Sequence, residues 1–148
     1  MQIRDYRSSD FDSIEAIYNE SKMDELLYEK ATFTLLPLSQ DERRLKALLE
    51  CTIVVFGEAE IVGYGAYINQ EIRALFVKRE HRGRGIGDLL LRHMMSKINS
   101  NVSLYVARSN WPAIKLYQRH GFHHARDFET DYNGKAVVAS EMVCSTPS

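Results

Sequence analysis

Apolar positions recur along this chain with two periods, and each change of period marks a change of element. Phe11, Ile14, Ile17, Tyr18 and Ser21 stand at helical spacing, which turns one stripe of the segment inward. Ser9-Asp10-Phe11-Asp12 stands at its start, and Ser39-Gln40-Asp41-Glu42 opens a second helix whose inner side is Leu45, Leu48 and Leu49. A serine with an acid three residues on reads as a capping box in both places. Residues 23–31, between them, read as a further helix or a loop. Residues 2–6 read as a short strand, and the β-branched run 52–56, the turn 57–60 and the run 61–68 make a hairpin. Gly63 and Gly65 in its second arm mark a bulge or a close approach of backbone. Asn69-Gln70 turns the chain again into residues 71–77.

Helical spacing then returns in residues 88–98, where Leu90, Met94 and Ile98 continue a four-residue repeat begun at Ile86, and Leu89, Leu91 and Met95 widen the face. The two methionines read as core filling. Residues 102–107 form the next strand, and the helix between it and residues 71–77 makes the two strands parallel. Asn110, Pro112 and Gly121 bracket a short helix as N-cap, first-turn proline and left-handed stop. Residues 122–131 and 135–143 pair through an Asn133-Gly134 turn, the strongest short hairpin signal. Residues 145–148 read as a frayed tail. The order is β, α, α, β, β, β, α, β, α, β, β, a mixed sheet with helices on both faces.

The passage from strand to helix at Arg82-Gly83-Arg84-Gly85-Ile86-Gly87 carries the chemistry. Glycines let the backbone turn sharply and approach a ligand, and the first amides of the helix lack intrahelical partners. Together with the helix dipole, Arg82 and Arg84, this is an anion site. A P-loop needs Gly-Lys followed by Ser or Thr, which is absent. The dinucleotide fingerprint started at Gly83 needs a glycine where Asp88 stands. What remains, Arg82-x-x-Gly85-x-Gly87, resembles the pyrophosphate loop of the GNAT superfamily of acyl-CoA-dependent N-acetyltransferases. The stretch from Asn110 through Tyr117 to Gly121-Phe122 is similar to that superfamily's second landmark.

The resemblance implies the GNAT fold: a mixed, mostly antiparallel sheet of about seven strands, with the parallel pair 71–77 and 102–107 splayed to admit the pantetheine arm. It also implies acetyl-CoA as co-substrate, held by Leu75, Phe76, Val77, Arg82, Gly83, Arg84, Gly85, Ile86, Gly87, Asp88, Asn110 and Tyr117. An N–H near Phe76 would polarise the thioester carbonyl. Asn110 would contact the pantetheine, cap its helix, or both. Tyr117 holds the position of a tyrosine acid that protonates the leaving thiolate. Glu71, eleven positions before Arg82, matches the general-base glutamate of the histone-acetyltransferase branch. Other members use another residue or ordered water. An alkyl amine with a pKa of about 10.4 needs such help to be neutral. The implied reaction is direct attack of a primary amine in a ternary complex. The alternative is a non-catalytic acyl-CoA-binding or sensing module of the same fold. The acceptor groove would lie at the first helices and last strands, where Asp24, Glu25, Tyr28, Tyr64, Tyr67 and Tyr132 could face it.

Composition narrows the partners. The 148 residues suit a single acetyltransferase domain, 45% hydrophobic and 26% charged, with a net charge of -1. No global field recruits nucleic acid or an anionic membrane, and no apolar run reaches membrane-spanning length. The expected state is a cytoplasmic monomer or homodimer, with Cys51 and Cys144 reduced. His123 and His124 are adjacent and point to opposite faces of a strand, and His81, His93 and His120 lack ligand-like company, so no metal is expected. The acceptor remains open: a small molecule, a protein or peptide lysine, or an N-terminus.

Overall fold

The strand-like runs join into one sheet in the computed structural model, which describes residues 2–29, 36–132 and 134–145. The strands are β1 (Gln2–Asp5), β2 (Thr52–Gly57), β3 (Ile61–Ile68), β4 (Glu71–Val77), β5 (Val102–Ala107), β6 (His123–Tyr132) and β7 (Lys135–Cys144). Their order across the seven-stranded sheet is β1-β2-β3-β4-β5-β7-β6. Every neighbouring pair is antiparallel except β4 and β5, the pair separated by a helix in the chain.

The helices are α1 (Phe11–Glu25), α2 (Glu42–Leu49), α3 (Ile86–Ile98) and α4 (Trp111–Arg119). Ile14, Ile17 and Tyr18 of α1 and Leu48 of α2 pack with Ile53, Val55, Tyr64 and Ala66 on one face of the sheet. Ile86, Leu90, Leu91 and Met94 of α3 pack with Tyr117 of α4, Val54, Val62, Ile72 and Leu104 on the other. The predicted apolar stripes are therefore the two cores, and both methionines of α3 pack in the core as expected. Gly65 is a close approach: a Cβ there would lie 2.6 Å from Met94 Cε and 2.7 Å from its Sδ.

Two local details differ from expectation, and one open alternative is narrowed. Ser39 does not cap α2. Asp41 does, accepting from the Arg44 N–H at 3.2 Å, while the Ser39 N–H donates to Glu15 Oε2. Before α1 the serine again yields to the aspartate. Asp10 takes the Arg7 N–H at 2.8 Å and both Arg4 guanidinium nitrogens, closing a turn of 3-10 helix that feeds straight into α1. An aspartate offers two charged acceptors where serine offers one hydroxyl, so the partly buried N–H groups go to the acid. Residues 23–25 finish α1 and residues 26–28 form a turn, so no separate helix starts there. Residues 30–31 of that expected segment, with Asn133 of the last hairpin and residues 146–148 of the tail, lie outside the described residues.

Candidate active site

β4 and β5 are paired only at Glu71 with Ser103 and Ile72 with Leu104, and then separate. The cause lies on the other edge of β4. Its register with β3 slips between Ala66 and Tyr67, so that Ala74 faces Ala66, Ile72 faces Tyr67, and Arg73 is the extra residue of a bulge. A bulge bends its strand and increases its twist, which carries residues 74–77 away from β5. Ala107, Val106 and Tyr105 of β5 are meanwhile held by β7. The result is a gap with strand edges on both sides, which opens into a cleft of about 810 Å³.

Gly83 and Gly85 shape one end of the cleft, with φ of +79° and +81°. A non-glycine residue costs about 1–2 kcal/mol in that left-handed conformation. Cβ atoms built at either position meet nothing within 4 Å, so the loop faces open space. The chain enters α3 from Gly85, and the Leu89 N–H donates to the Gly85 carbonyl at 3.1 Å. The amides of the preceding turn have no helical acceptor. They stand where the helix dipole favours an anion.

Arg82 of the loop and Arg79 just before it converge on one carboxylate. The Arg82 guanidinium donates to Asp24 Oδ2 at 2.7 Å, to the Val77 carbonyl at 2.9 Å and to Ser21 Oγ at 3.3 Å. Arg79 grips the same carboxylate at 2.9 and 3.0 Å. These bonds clamp the loop to the last turns of α1 and hold the Asp24 carboxyl below the usual carboxylate range, Arg79 contributing most. Asp88, in the first turn of α3, contacts His120 Nε2 at 2.7 Å and Arg119 at 3.3 Å. Its carboxyl is likewise held low, chiefly by His120.

The expected site residues gather unevenly. Leu75, Phe76, Val77, Arg82, Gly83, Gly85, Ile86, Gly87, Asp88, Asn110 and Tyr117 all line the large cleft, whereas Arg84 does not. Asn110 stands at the N-cap of α4 without a side-chain capping bond. Tyr117 is buried and packs edge-on against Phe122, with ring centroids 5.7 Å apart. Burial pushes its phenol well above the usual range, and the charge of Glu25 adds to the shift. Glu71 lines a separate, smaller cavity on the α1 and α2 side, with Arg73 Nε at 3.5 Å. The two cavities meet at Lys22, Ile72, Arg73, Ala74, Phe76 and Tyr105.

Of the residues expected at the acceptor groove, Asp24, Glu25 and Tyr28 line the large cleft and Tyr64 the small one. Tyr67 packs against the α3 core instead. Lys22 escaped the sequence reading. It follows Tyr18 by four positions and so stands on the apolar stripe of α1, an odd place for a lysine and the signal that could have found it. Among the described residues no group of His, Cys, Asp or Glu could hold a metal ion. No helix among them is long and apolar enough to cross a membrane.

Comparisons with known proteins agree with this geometry. Over 91 residues the chain is 29% identical to a peptidyl-lysine N-acetyltransferase of Salmonella typhimurium, covering 62% of each chain. Over 72 residues it is 29% identical to a spermine/spermidine N(1)-acetyltransferase of Bacillus subtilis, 45% of this chain and 46% of that one. These matches thus span about half to three fifths of the relatives' own lengths. The crystal structure of a GNAT superfamily phosphinothricin acetyltransferase from Sinorhizobium meliloti, in complex with AcCoA, shares the fold. Its TM-score is 0.72 at 19% identity, with 98% of this chain and 88% of that one covered. The family model described as "Acetyltransferase (GNAT) domain" matches residues 49–124. That span holds the hairpin, the bulged strand, the glycine loop and the helix of Tyr117, and by it the chain belongs to the GNAT acetyltransferase family.

Proposed function

We propose that residues 1–148 act as a single acetyl-CoA-dependent N-acetyltransferase domain that passes the acetyl group directly to a primary amine. The observation that carries this reading is the parting of β4 from β5 after Ile72, beside a helix start with bare amides and left-handed glycines. The amides of residues 83–88 suit a diphosphate, because the loop faces open space and its backbone donors are unclaimed by the helix. The edge of β4 at Leu75, Phe76 and Val77, left without a strand partner on the β5 side, suits the amide-bearing pantetheine arm. Asn110, free of capping, is a further donor along that wall.

In the transfer a neutral amine attacks the thioester carbonyl carbon, the new C–N bond forms, and the C–S bond breaks with its electrons staying on sulfur. A backbone N–H near Phe76 would stabilise the oxyanion. Tyr117 would offer its phenol hydrogen to the departing sulfur. Because burial makes that phenol a weak acid, the proton it lends is replaced by the one the amine gives up, so the products are an amide and a thiol. Glu71 is the proposed acceptor of the earlier proton, the one a bound ammonium sheds to become the neutral nucleophile, since the cavity it lines shares Phe76 with the wall of the cleft.

A thiol-release assay with acetyl-CoA and a panel of amines tests the reading. Amine-dependent release of free thiol is the expected result. Tight binding of acetyl-CoA without release for any amine would convert the proposal into a sensing or binding module. Failure to bind acetyl-CoA at millimolar concentration would remove both.

A further inference from the structure

The acceptor-side cavity is small and its walls carry more positive than negative charge. Its volume is about 200 Å³, below the roughly 300–1,000 Å³ of sites for drug-sized ligands, which leaves room for a group about the size of one amino acid. The charged side chains among its described lining residues are Lys22, Arg44, Arg73 and Glu71.

Two of these cations are held in place. The Arg44 guanidinium lies 4.2 Å from the Tyr132 ring centroid and 3.2 Å from Asp41. Lys22 Nζ is 3.1 Å from Glu25 and sits over the rings of Tyr18, Phe76 and Tyr132 at 5.7, 5.6 and 5.7 Å. Their acidic partners stand elsewhere: Asp41 is outside the lining of either cavity, and Glu25 lines the large cleft. The cavity also reaches Tyr64, which is fully buried and whose hydroxyl has no hydrogen-bond partner among the described residues. A buried hydroxyl left unpaired is costly, so this wall is suited to a polar guest.

Resting on the acetyltransferase reading, we infer that the acceptor is a small primary amine that itself carries a carboxylate. Lys22, Arg44 and Arg73 receive the carboxylate, and Glu71, which lines the small cavity beside the shared residue Ile72, faces the amine. A polyamine brought into this cavity would meet like charges on most of its wall, and its extra ammonium groups would find one carboxylate to share. Planar guanidinium groups instead match a carboxylate with two parallel hydrogen bonds.

The test compares free α- and ω-amino acids with their own methyl esters, and with spermine, as acceptors in thiol release from acetyl-CoA. Esterification removes the negative charge. It also makes the amine less basic, which alone would raise its reactive neutral fraction, so a fall in rate reports the lost carboxylate. The expected kcat/KM for the best acid exceeds that of its ester by about tenfold or more, the size of one hydrogen bond to a charged group. Arg44→Gln and Lys22→Gln should each shrink that ratio, and Arg44→Gln, whose side chain lines the small cavity and not the large cleft, should leave acetyl-CoA affinity unchanged. If a variant fails to fold, the acid-to-ester ratio of the unaltered protein decides alone. Esters or spermine used as well as the acids would overturn this inference and leave the acetyltransferase reading standing. No thiol release with any amine would overturn both.

Discussion

The phenol of Tyr117 is packed against Phe122 and kept protonated by its burial and by the Glu25 carboxylate. The direction of that shift has a kinetic consequence. An ordinary phenol ionises near pH 10, so a catalytic tyrosine of ordinary pKa would cost activity on the alkaline side as that pH is approached. Here the loss should be absent: kcat with a saturating amine is expected to stay level from pH 8 to 10, and a falling limb in that interval would exclude Tyr117 as the proton donor. Tyr117→Phe keeps the ring and its packing, so the melting temperature should hold. Its kcat should fall about a hundredfold, the lower range for loss of a positioned acid, with acetyl-CoA affinity nearly unchanged. The position of Tyr117 in the cleft was legible from its motif. The raised pKa was not, because it depends first on how deeply the fold buries the ring and then on a carboxylate from α1, nearly a hundred positions away in the chain.

At the scale of elements, the glycine loop and the β3–α3 contact each make a separate demand. Gly85→Ala places a Cβ on a residue with φ of +81° in open space. It should destabilise the fold by about 1–2 kcal/mol and weaken acetyl-CoA binding, as read by urea unfolding and calorimetric titration. Gly87 is the internal control, since a Cβ there makes an ordinary 3.5 Å contact with Leu116; Gly87→Ala should unfold at the same urea concentration as the parent or above it. Gly65→Val forces side-chain atoms into the space of Met94, which is fully buried. Overpacking of this kind costs about 1–3 kcal/mol, and a matching drop in the urea midpoint is expected. Both glycine pairs stood out in the sequence, but the choice between a bulge and a close approach at Gly65 did not. The bulge proved to lie at Arg73 in β4, where the sequence carries no glycine.

Across the whole molecule, carboxylates tie distant segments together. Asp10 is held low chiefly by Arg4, Asp24 by Arg79 and Asp88 by His120. At neutral pH these groups are ionised in the folded and unfolded chain alike. Below about pH 4, the ordinary aspartate value, the unfolded chain takes up protons before the folded one does. Their stabilisation is therefore complete above about pH 4 and is lost as pH falls through the lowered folded values. Urea unfolding should show a midpoint that is level from pH 7 to 5 and drops below pH 4. Asp24→Asn should shift the neutral midpoint down and flatten the acid decline. A midpoint indifferent to pH down to 3 would mean that these pairs contribute nothing.

What the sequence determined by itself was whatever depends on near neighbours along the chain. Helical and strand periods, the left-handed stop at Gly121 and the parallel relation of β4 to β5 all follow from local sterics or from the element lying between them. The glycine loop at the head of α3 follows for the same reason. Tertiary structure decided what depends on packing between distant segments. It seated β7 between β5 and β6, turned Arg82 onto an aspartate 58 residues away, and chose Asp10 and Asp41 over the serines beside them. It also brought Lys22, Arg44 and Arg73 to one small cavity. A charged side chain takes whichever partner the fold presents, and no spacing along the chain records which one that is.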